Sequence, residues 1–210
     1  LSDPIEDSMR DIESFCIARG ISLIINASHP HAAQLHQNIF TAADRIGVPV
    51  LRIERSFMKE EDNSLITYVN TLDELIKAIK LSPVSRIISL MGSKTIPVLY
   101  KRLPHKRFWF RILDQPASWQ SALACGVNQD HILADGNTAD FSRVSHLIKE
   151  QQIEMIITKD SGYNGFIDKK IDLALSYSMP VLVLRPPLLP KFTSSLHNKE
   201  EFFAIIQQHL

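Results

Sequence analysis

Two stretches of the sequence place polar side chains directly after apolar runs. Residues 26–34, NASHPHAAQ, follow the run 21–25, and residues 158–165, TKDSGYNG, follow a second run. Where such a stretch leads from a strand into a helix, the first backbone N–H groups of the helix lack intrahelical partners and can bind an anion. The pattern therefore predicts phosphate or carboxylate binding at both places.

The two histidines of the first stretch, His29 and His31, raise the question of a metal site or a catalytic dyad. Two ligands separated by one residue are too few for a metal, and no HExxH motif or cysteine pair accompanies them. We therefore expect no metal. Pro30 is typical of the first position of a helix, which predicts that Ser28 or His29 is the N-cap.

The second stretch contains Lys159, Asp160, Ser161 and Gly162. Its glycines allow tight turns, and a lysine ammonium and a serine hydroxyl suit an anion. An ordinary polar loop would explain the same residues. The GxxxxGK[ST] spacing of a P-loop is missing, and so is the GxGxxG fingerprint of a dinucleotide-binding turn.

A third candidate follows another apolar run, where Gly92 and Lys94 open a helical segment. Residues 101–111 are rich in lysine and arginine, and a solvated basic face explains most of them. Arg111 differs because it lies inside an apolar strand, where an unpaired charge is costly. We expect it to have an anionic partner.

Composition limits the kinds of partner. The 210 residues include 23 Lys or Arg and 23 Asp or Glu, so no net charge attracts the chain to nucleic acid or to an anionic membrane. No run reaches the roughly 20 apolar residues of a membrane span, and no signal pattern begins the sequence. Two distant cysteines, Cys16 and Cys125, fit thiols in a reducing compartment, so we expect a cytoplasmic protein.

Short apolar runs alternate with segments of helical period, which predicts an α/β fold with parallel sheets covered by helices. Residues 21–55 and 153–187 share one plan: a strand, a polar tip, a helix, and Pro-Val-Leu opening the next strand. We therefore predict two Rossmann-like domains, residues 1–114 and 115–210, with an interdomain cleft lined by the polar tips. Chance likeness between two α/β units is the alternative explanation of the repeat.

Taken in order, these motifs resemble the precorrin-6A reductase family of corrin biosynthesis, which includes cobalt-precorrin-6A reductases. NASHPHA is similar to the family's D-A-T-H-P-F-A stretch, and GVPVLRIER is similar to its G-[IV]-P-x-[LV]-R strand. The Gly92-Ser93-Lys94 segment and FWFRILDQP resemble a glycine–basic pair and an arginine-bearing strand. TKDSGYNG and LRPP resemble the closing elements, so the resemblance spans residues 20–190.

The sequence also departs from the family pattern. Asn26 stands where the family has aspartate, His31 where it has phenylalanine, and Tyr163 where it has glycine. A Gly-Pro-Phe type motif is reduced to residues 136–138, Gly-Asn-Thr. The family's opening strand and Gly-Gly-Thr turn, which would cradle nucleotide phosphates in the 1–114 domain, have no counterpart in this sequence; we expect a truncation or a loss of that element.

The resemblance implies reduction of one macrocycle double bond of precorrin-6A or its cobalt form by NADPH or NADH. The sequence leaves the oligomeric state open, and we expect a monomer. It implies two proton-donor candidates, His29 and Asp160, although water is another possible donor. The other implied substrate- or cofactor-binding residues share the strand ends: Ser28, Pro30, Arg52, Gly92, Lys94, Arg111, Lys159, Ser161 and Gly162.

Two other functions remain open on the sequence alone. The missing glycine-rich turn and the altered tips also fit a tetrapyrrole- or nucleotide-binding module without catalysis. An unrelated α/β enzyme, such as a sugar or nucleotide transferase, is a third reading.

Overall fold

The computed structural model describes residues 8–136 and 139–209, so residues 137 and 138 of the reduced Gly-Asn-Thr motif lie outside the described residues. Helices and strands alternate along the chain, and the predicted α/β class is confirmed. The elements are, in chain order, α1 Met9–Arg19, β1 Ile24–Asn26, α2 Ala33–Ile46, β2 Val50–Ile53, β3 Ile66–Val69, α3 Leu72–Leu81, β4 Arg86–Ser89, α4 Ile96–Arg102, β5 Arg107–Leu113, α5 Pro116–Leu123, β6 Ile132–Asp135, α6 Ser142–Glu150, β7 Met155–Lys159, α7 Ile167–Ser176, β8 Val181–Leu184, β9 Ser194–Leu196 and α8 Lys199–His209.

The chain divides into two compact units. The first unit contains the described residues up to Ser56 and those from Pro187 onward. Its sheet has the order β1-β2-β9, and both strand pairs are parallel. Helices α1 and α2 pack their apolar residues into one core, which includes Ile12, Cys16, Ile39, Ala42, Val50 and Phe192.

The second unit, Phe57–Pro186, contains a six-stranded sheet of order β3-β8-β7-β4-β5-β6 in which every pair is parallel. Each residue of β8 is buried, because helices cover both faces of the sheet and form two separate apolar cores. From β4 the chain moves to β5 and β6 on one side, and then crosses to β7 on the other. The strand order therefore reverses between β4 and β7.

The repeat seen in the sequence corresponds to two parallel strand–helix–strand units. Strands β1 and β2 pair in the first unit across helix α2, and β7 and β8 pair in the second across α7. The repeat thus predicts correctly that such an element occurs in each unit, although the second unit also contains β4–α4–β5 and β5–α5–β6. The cleft expected between the domains stays a prediction.

The predicted boundary at residue 114 is wrong. Strands β5 and β6, on either side of it, belong to one sheet, with Phe110 opposite Ile132. The C-terminal residues do not stay with the second unit either, because β9 pairs with β2 and carries α8 back to the first unit. Strand β9 could not be predicted from the sequence, because it has only three residues and two of them are serines.

Among the helices that the structure describes, none combines the length and apolar character needed to cross a membrane.

Candidate functional site

The carboxyl ends of β4 and β7 carry most of the predicted residues of the second unit. The two strands are hydrogen-bonded neighbours, with Ser89 opposite Ile157. Gly92 and Lys94 follow β4, and the 159–162 tip ends β7. In open α/β sheets, ligands bind where the strand order reverses, outside the carboxyl ends of the strands. The fold therefore brings these two loops to the position at which a ligand is expected.

Gly92 needs to be glycine because its backbone has φ 82° and ψ 168°, a conformation that side chains disfavour. No atom lies within 4 Å of where a Cβ would be, so the backbone here is open to close approach by another group. The following residues, Ser93–Thr95, form a 3₁₀ turn that leads into α4. The Thr95 hydroxyl donates a hydrogen bond to the Gly92 carbonyl at 2.9 Å and so fixes the turn.

Two lysines influence each other at this edge. Lys159 ends β7 and is half-buried, whereas Lys94 is exposed. Burial lowers the pKa of Lys159, and the positive charge of Lys94 lowers it further. A negative group bound near both ammonium groups would reverse this effect, because an opposite charge stabilises the charged form.

Asp160 is buried, with 8% of its surface exposed. Its backbone N–H donates to the Leu184 carbonyl at 2.9 Å, and its Oδ1 accepts a hydrogen bond from the Gly162 N–H at 3.0 Å. Burial raises the pKa of this carboxyl group, although the Gly162 N–H acts in the opposite direction. The side chain therefore keeps a proton to higher pH than an ordinary aspartate does.

The tip after β7 is tightly packed. Gly162 has φ 71°, and a Cβ added to Gly165 would lie 2.5 Å from the Ser161 Cβ. Ser161 is itself buried, with 6% exposed. This close approach requires glycine at position 165.

Arg111, on β5, has the anionic partner that the sequence demanded. Its Nη2 donates to the Asp135 carboxylate at 3.2 Å and to the Gly136 carbonyl at 3.4 Å. The guanidinium carbon lies 4.6 Å from the centroid of the Phe141 ring. Arg111 is thus held in one orientation by groups of the chain.

A cavity of about 120 Å³ lies beside Arg111, at the same edge of the sheet. Lys170 of α7 also lines it and is only 9% exposed. Burial, and then the charge of Arg111, lower the pKa of Lys170 to about 8. Lys170 was not among the residues predicted from the sequence. A signal existed, because Lys170 interrupts the otherwise apolar buried stripe of α7, formed by Ile167, Ile171 and Ala174.

The other predicted tip lies in the first unit, after β1. Asn26 is buried, and its side chain makes three hydrogen bonds. Nδ2 donates to the His36 Nδ1 at 2.9 Å, and Oδ1 accepts from the Ser28 N–H at 3.1 Å and from the Arg52 Nη1 at 3.3 Å. The His36 Nε2 donates to the His29 carbonyl at 3.0 Å. Burial lowers the pKa of His36, so the ring is held as the neutral tautomer that these two bonds require.

Pro30 does not begin the helix, contrary to the prediction. Helix α2 begins at Ala33, and its N-cap residue, Ala32, makes no side-chain cap hydrogen bond. The Ala32 N–H donates instead to the His29 carbonyl at 2.9 Å, which closes a turn with Pro30 at its second position. Proline is favoured there because its ring fixes φ. Ser28 and His29 therefore precede the turn and are not helix caps.

The backbone N–H groups of this tip are largely used within it. The His31 N–H donates to the His29 Nδ1 at 3.2 Å, and those of Ser28 and Ala32 also bond inside the tip. His29 is exposed. Because its Nδ1 accepts a hydrogen bond, a neutral ring carries its proton on Nε2.

Arg52 does not fit its predicted role as a direct partner of a ligand carboxylate, because none of its side chain is exposed. Its Nη1 donates to the Ser28 carbonyl at 2.8 Å and to the Asn26 carbonyl at 3.1 Å. Its Nε lies 3.7 Å from the Glu54 carboxylate. Arg52 is therefore a positioning residue, which stabilises the tip through its hydrogen bonds to the Asn26 and Ser28 carbonyls.

His36 is a further residue that supports this tip and that was not predicted from the sequence. His36 occupies a core position of an amphipathic helix, three residues before the buried Ile39, and that placement is the signal that could have revealed a buried, hydrogen-bonded histidine. Within residues 8–136 and 139–209, no group of three or more His, Cys, Asp or Glu side chains could hold a metal ion.

Comparison with known proteins decides the family. The model of the precorrin-6x reductase CbiJ/CobK family matches residues 6–207. This chain belongs to that family. The family resemblance of the sequence motifs is thereby confirmed.

Individual members of the CbiJ/CobK family agree with this assignment. The cobalt-precorrin-6A reductase of Priestia megaterium is 26% identical over 203 residues, which cover 94% of this chain and 78% of that protein. The precorrin-6A reductase of Rhodococcus erythropolis is 29% identical over 183 residues, 86% of this chain and 69% of that protein.

The fold agrees as well. A solved structure described as CobK precorrin-6A reductase superposes with a TM-score of 0.76 at 20% identity, covering 96% of this chain and 79% of the other. At that identity the match supports the CbiJ/CobK fold and not the roles of individual residues.

Proposed function

We propose that this chain reduces a macrocycle double bond of precorrin-6A or cobalt-precorrin-6A, with NADPH or NADH as the reductant. The observation that carries the proposal is the family match over residues 6–207. The polar loops at the reversal between β4 and β7 support it, since they place cationic and hydrogen-bonding groups where α/β proteins bind ligands.

The residues around Gly92 fit a dinucleotide. The positive φ of Gly92 and the open space on the side where a Cβ would lie allow phosphate oxygens to approach the backbone. Lys94 and Lys159 supply positive charge beside it. We assign these three residues to holding the cofactor, which when bound supplies the hydride for the ring carbon.

The chain's own contribution to the chemistry is a proton for the neighbouring ring atom. Asp160 is our candidate donor because burial raises its pKa, so the carboxyl group retains the proton that the reaction consumes. The Gly162 N–H donates to Oδ1 and so orients the carboxyl group. His29, with its proton on Nε2, is the second candidate.

Substrate binding needs groups that complement several carboxylates. Ser161 and the Arg111 guanidinium lie at the same sheet edge as Asp160, and charge-assisted hydrogen bonds to carboxylates are strong. Ser28 and Pro30 belong to the tip of the first unit, which Arg52 and His36 hold in shape. We propose that this tip contacts the macrocycle.

The test is turnover by the purified protein. Precorrin-6A and cobalt-precorrin-6A are each supplied with NADPH or with NADH, and loss of absorbance at about 340 nm, the band of reduced nicotinamide, is followed. Oxidation that requires the substrate supports the proposal and identifies the preferred pair. A rate equal to the substrate-free rate, together with tight corrinoid binding, would favour the non-catalytic binding module instead.

A further inference from the structure

The cavity between β5 and α7 has the size of a site for one acidic group. Its volume is about 120 Å³, and it is lined by Gly92, Arg111, Asp135, Gly165 and Lys170 together with apolar residues. Pockets that enclose whole small molecules are usually about 300–1,000 Å³. This cavity is therefore suited to a single group that projects from a larger ligand.

Lys170 is the unusual member of the lining. It lies on the buried stripe of α7, nine-tenths of its surface is inaccessible, and in the part of the chain that the structure describes its ammonium group makes no hydrogen bond or ion pair. Lysine is almost never buried without a partner. An anion that enters the cavity would stabilise the charged form of a lysine buried to this extent.

Arg111 adds a second, pre-oriented cation. Asp135 and Phe141 fix its guanidinium group, so no side-chain freedom remains to be lost when a ligand binds. Arg111 and Lys170 repel each other, as the effect of Arg111 on the pKa of Lys170 shows. An anion between them would relieve this repulsion.

The carboxylates near Lys170 are engaged elsewhere or placed on another side. Asp135 lies 3.2 Å from Arg111 and 3.8 Å from Arg143, and Asp160 accepts the Gly162 N–H. Asp168 is two residues away on α7, a spacing that puts it on a different face of the helix. Asp160 and Asp168 both raise the pKa of Lys170, so they favour the charged ammonium group, which is the form that binds an anion.

We propose that this cavity binds one oxyanion group, a phosphate or a carboxylate, with Lys170 as its principal ligand. The site itself is inferred from the cavity and its cations, whereas the choice of ligand rests on the proposed function. A phosphate would come from the nicotinamide dinucleotide and a carboxylate from the corrin macrocycle. Either way, Lys170 anchors one end of a ligand whose reacting part lies outside the cavity.

The experiment measures dissociation constants by calorimetry for two probes, NADP⁺ and the corrin polycarboxylate cobyrinic acid, at fixed ionic strength. Lys170→Met is compared with Lys169→Met, its exposed neighbour on α7. We expect Lys170→Met to weaken the binding of one probe about tenfold or more, the usual value of a charge-assisted hydrogen bond. Lys169→Met should change neither affinity by more than about twofold.

The outcomes separate the two sources. Loss confined to NADP⁺ identifies a phosphate subsite, and loss confined to cobyrinic acid identifies a carboxylate subsite. Equal affinities in Lys170→Met and the unaltered protein, or an equal loss for both probes, would overturn the proposal. If Lys170→Met does not fold, inorganic phosphate is titrated against each probe in the unaltered protein, and failure to compete with either one has the same meaning.

Turnover measured in parallel keeps this inference distinct from the proposed function. If the protein has no reductase activity but Lys170→Met still weakens the binding of one probe, the oxyanion subsite is supported and the proposed reaction is contradicted. If the protein is active and Lys170→Met binds both probes with unchanged affinity, only the proposal of the subsite is contradicted.

Discussion

Arg185 donates two parallel hydrogen bonds to the Glu60 carboxylate, from Nε to Oε1 and from Nη2 to Oε2, the second at 2.7 Å. Glu60 follows the point at which the chain enters the second unit, and Arg185 precedes the point at which it leaves. Arg185 also donates to the Asn70 side chain at 3.1 Å, and its guanidinium carbon lies 5.3 Å from the centroid of the Tyr68 ring. One arginine thus ties the entering segment to the leaving one.

Loss of this ion pair should loosen the entering segment. We expect Glu60→Gln to increase the rate of tryptic cleavage after Lys59 about two- to fivefold, because an exposed ion pair contributes modestly to local closure. Limited proteolysis followed by mass spectrometry measures the rate. Glu61→Gln, a change of the same type at the next residue, is the control, and equal cleavage in both variants would contradict the assignment.

Asp160→Asn should lower kcat by about 10²-fold or more, since an amide cannot donate the proton that a carboxylic acid supplies. In the unaltered protein, the rate should fall as pH rises through the elevated pKa of Asp160, because ionisation removes the donating form. Steady-state kinetics over pH give both quantities. Asp172→Asn, on the exposed face of α7, serves as the control; a kcat like that of the control would point to His29 or water.

Arg52 should matter for stability more than its position at a strand end suggests. Arg52→Leu leaves the Asn26 and Ser28 carbonyls without their donor in a buried site, and we expect a loss of about 2–3 kcal/mol in the free energy of unfolding. Urea denaturation monitored by circular dichroism measures it. Arg45→Leu, at an exposed ion pair with Glu13, should cost far less; similar losses in the two variants would argue against the positioning role.

His36 should make stability depend on pH in the acid range. Its pKa is lower in the folded protein than in the unfolded chain, so the unfolded state binds the proton more readily. Stability is therefore complete above the unfolded pKa of about 6.5 and declines as pH falls towards the folded value, by at most about 1.4 kcal/mol per pH unit.

Denaturation at a series of pH values between neutral and mildly acidic measures this slope. His36→Gln should remove the histidine's share of the slope, whereas His31→Gln, outside the buried network, should retain it. An unchanged slope in His36→Gln would show that the network does not control this titration.

The regular elements were predictable because their signals are local. Strands β2, β3 and β8 have the bounds that the sequence pattern indicates. The signal is clearest in β8, which is apolar throughout because both of its faces are buried. The boundary between the units was not predictable, because β9 is polar and its partner β2 is more than 140 residues away in sequence. Local periodicity contains no information on such a pairing.

The candidate site shows the same division. The tip residues Lys159 to Gly162 follow an apolar run and were therefore predicted as site residues, a prediction that stands untested. Lys170 was not predicted, because a lysine in a helix is normally an exposed residue. Arg52 was predicted to bind a ligand carboxylate. In the structure its guanidinium group instead donates hydrogen bonds to the Asn26 and Ser28 carbonyls. The arginine near the end of a strand indicated that the residue matters, but not whether its side chain faces a ligand or the interior of the protein.

The pairing of β9 with β2 has a consequence for synthesis on the ribosome. Strand β2 emerges early, but its neighbour Ser194–Leu196 is translated only after the whole of Phe57–Pro186. The contiguous second unit can complete its six-stranded sheet first. In the first unit, one edge of β2 stays unpaired until Ser194–Leu196 has been translated. Nascent-chain protease resistance should therefore appear in the inserted unit before the unit that surrounds it.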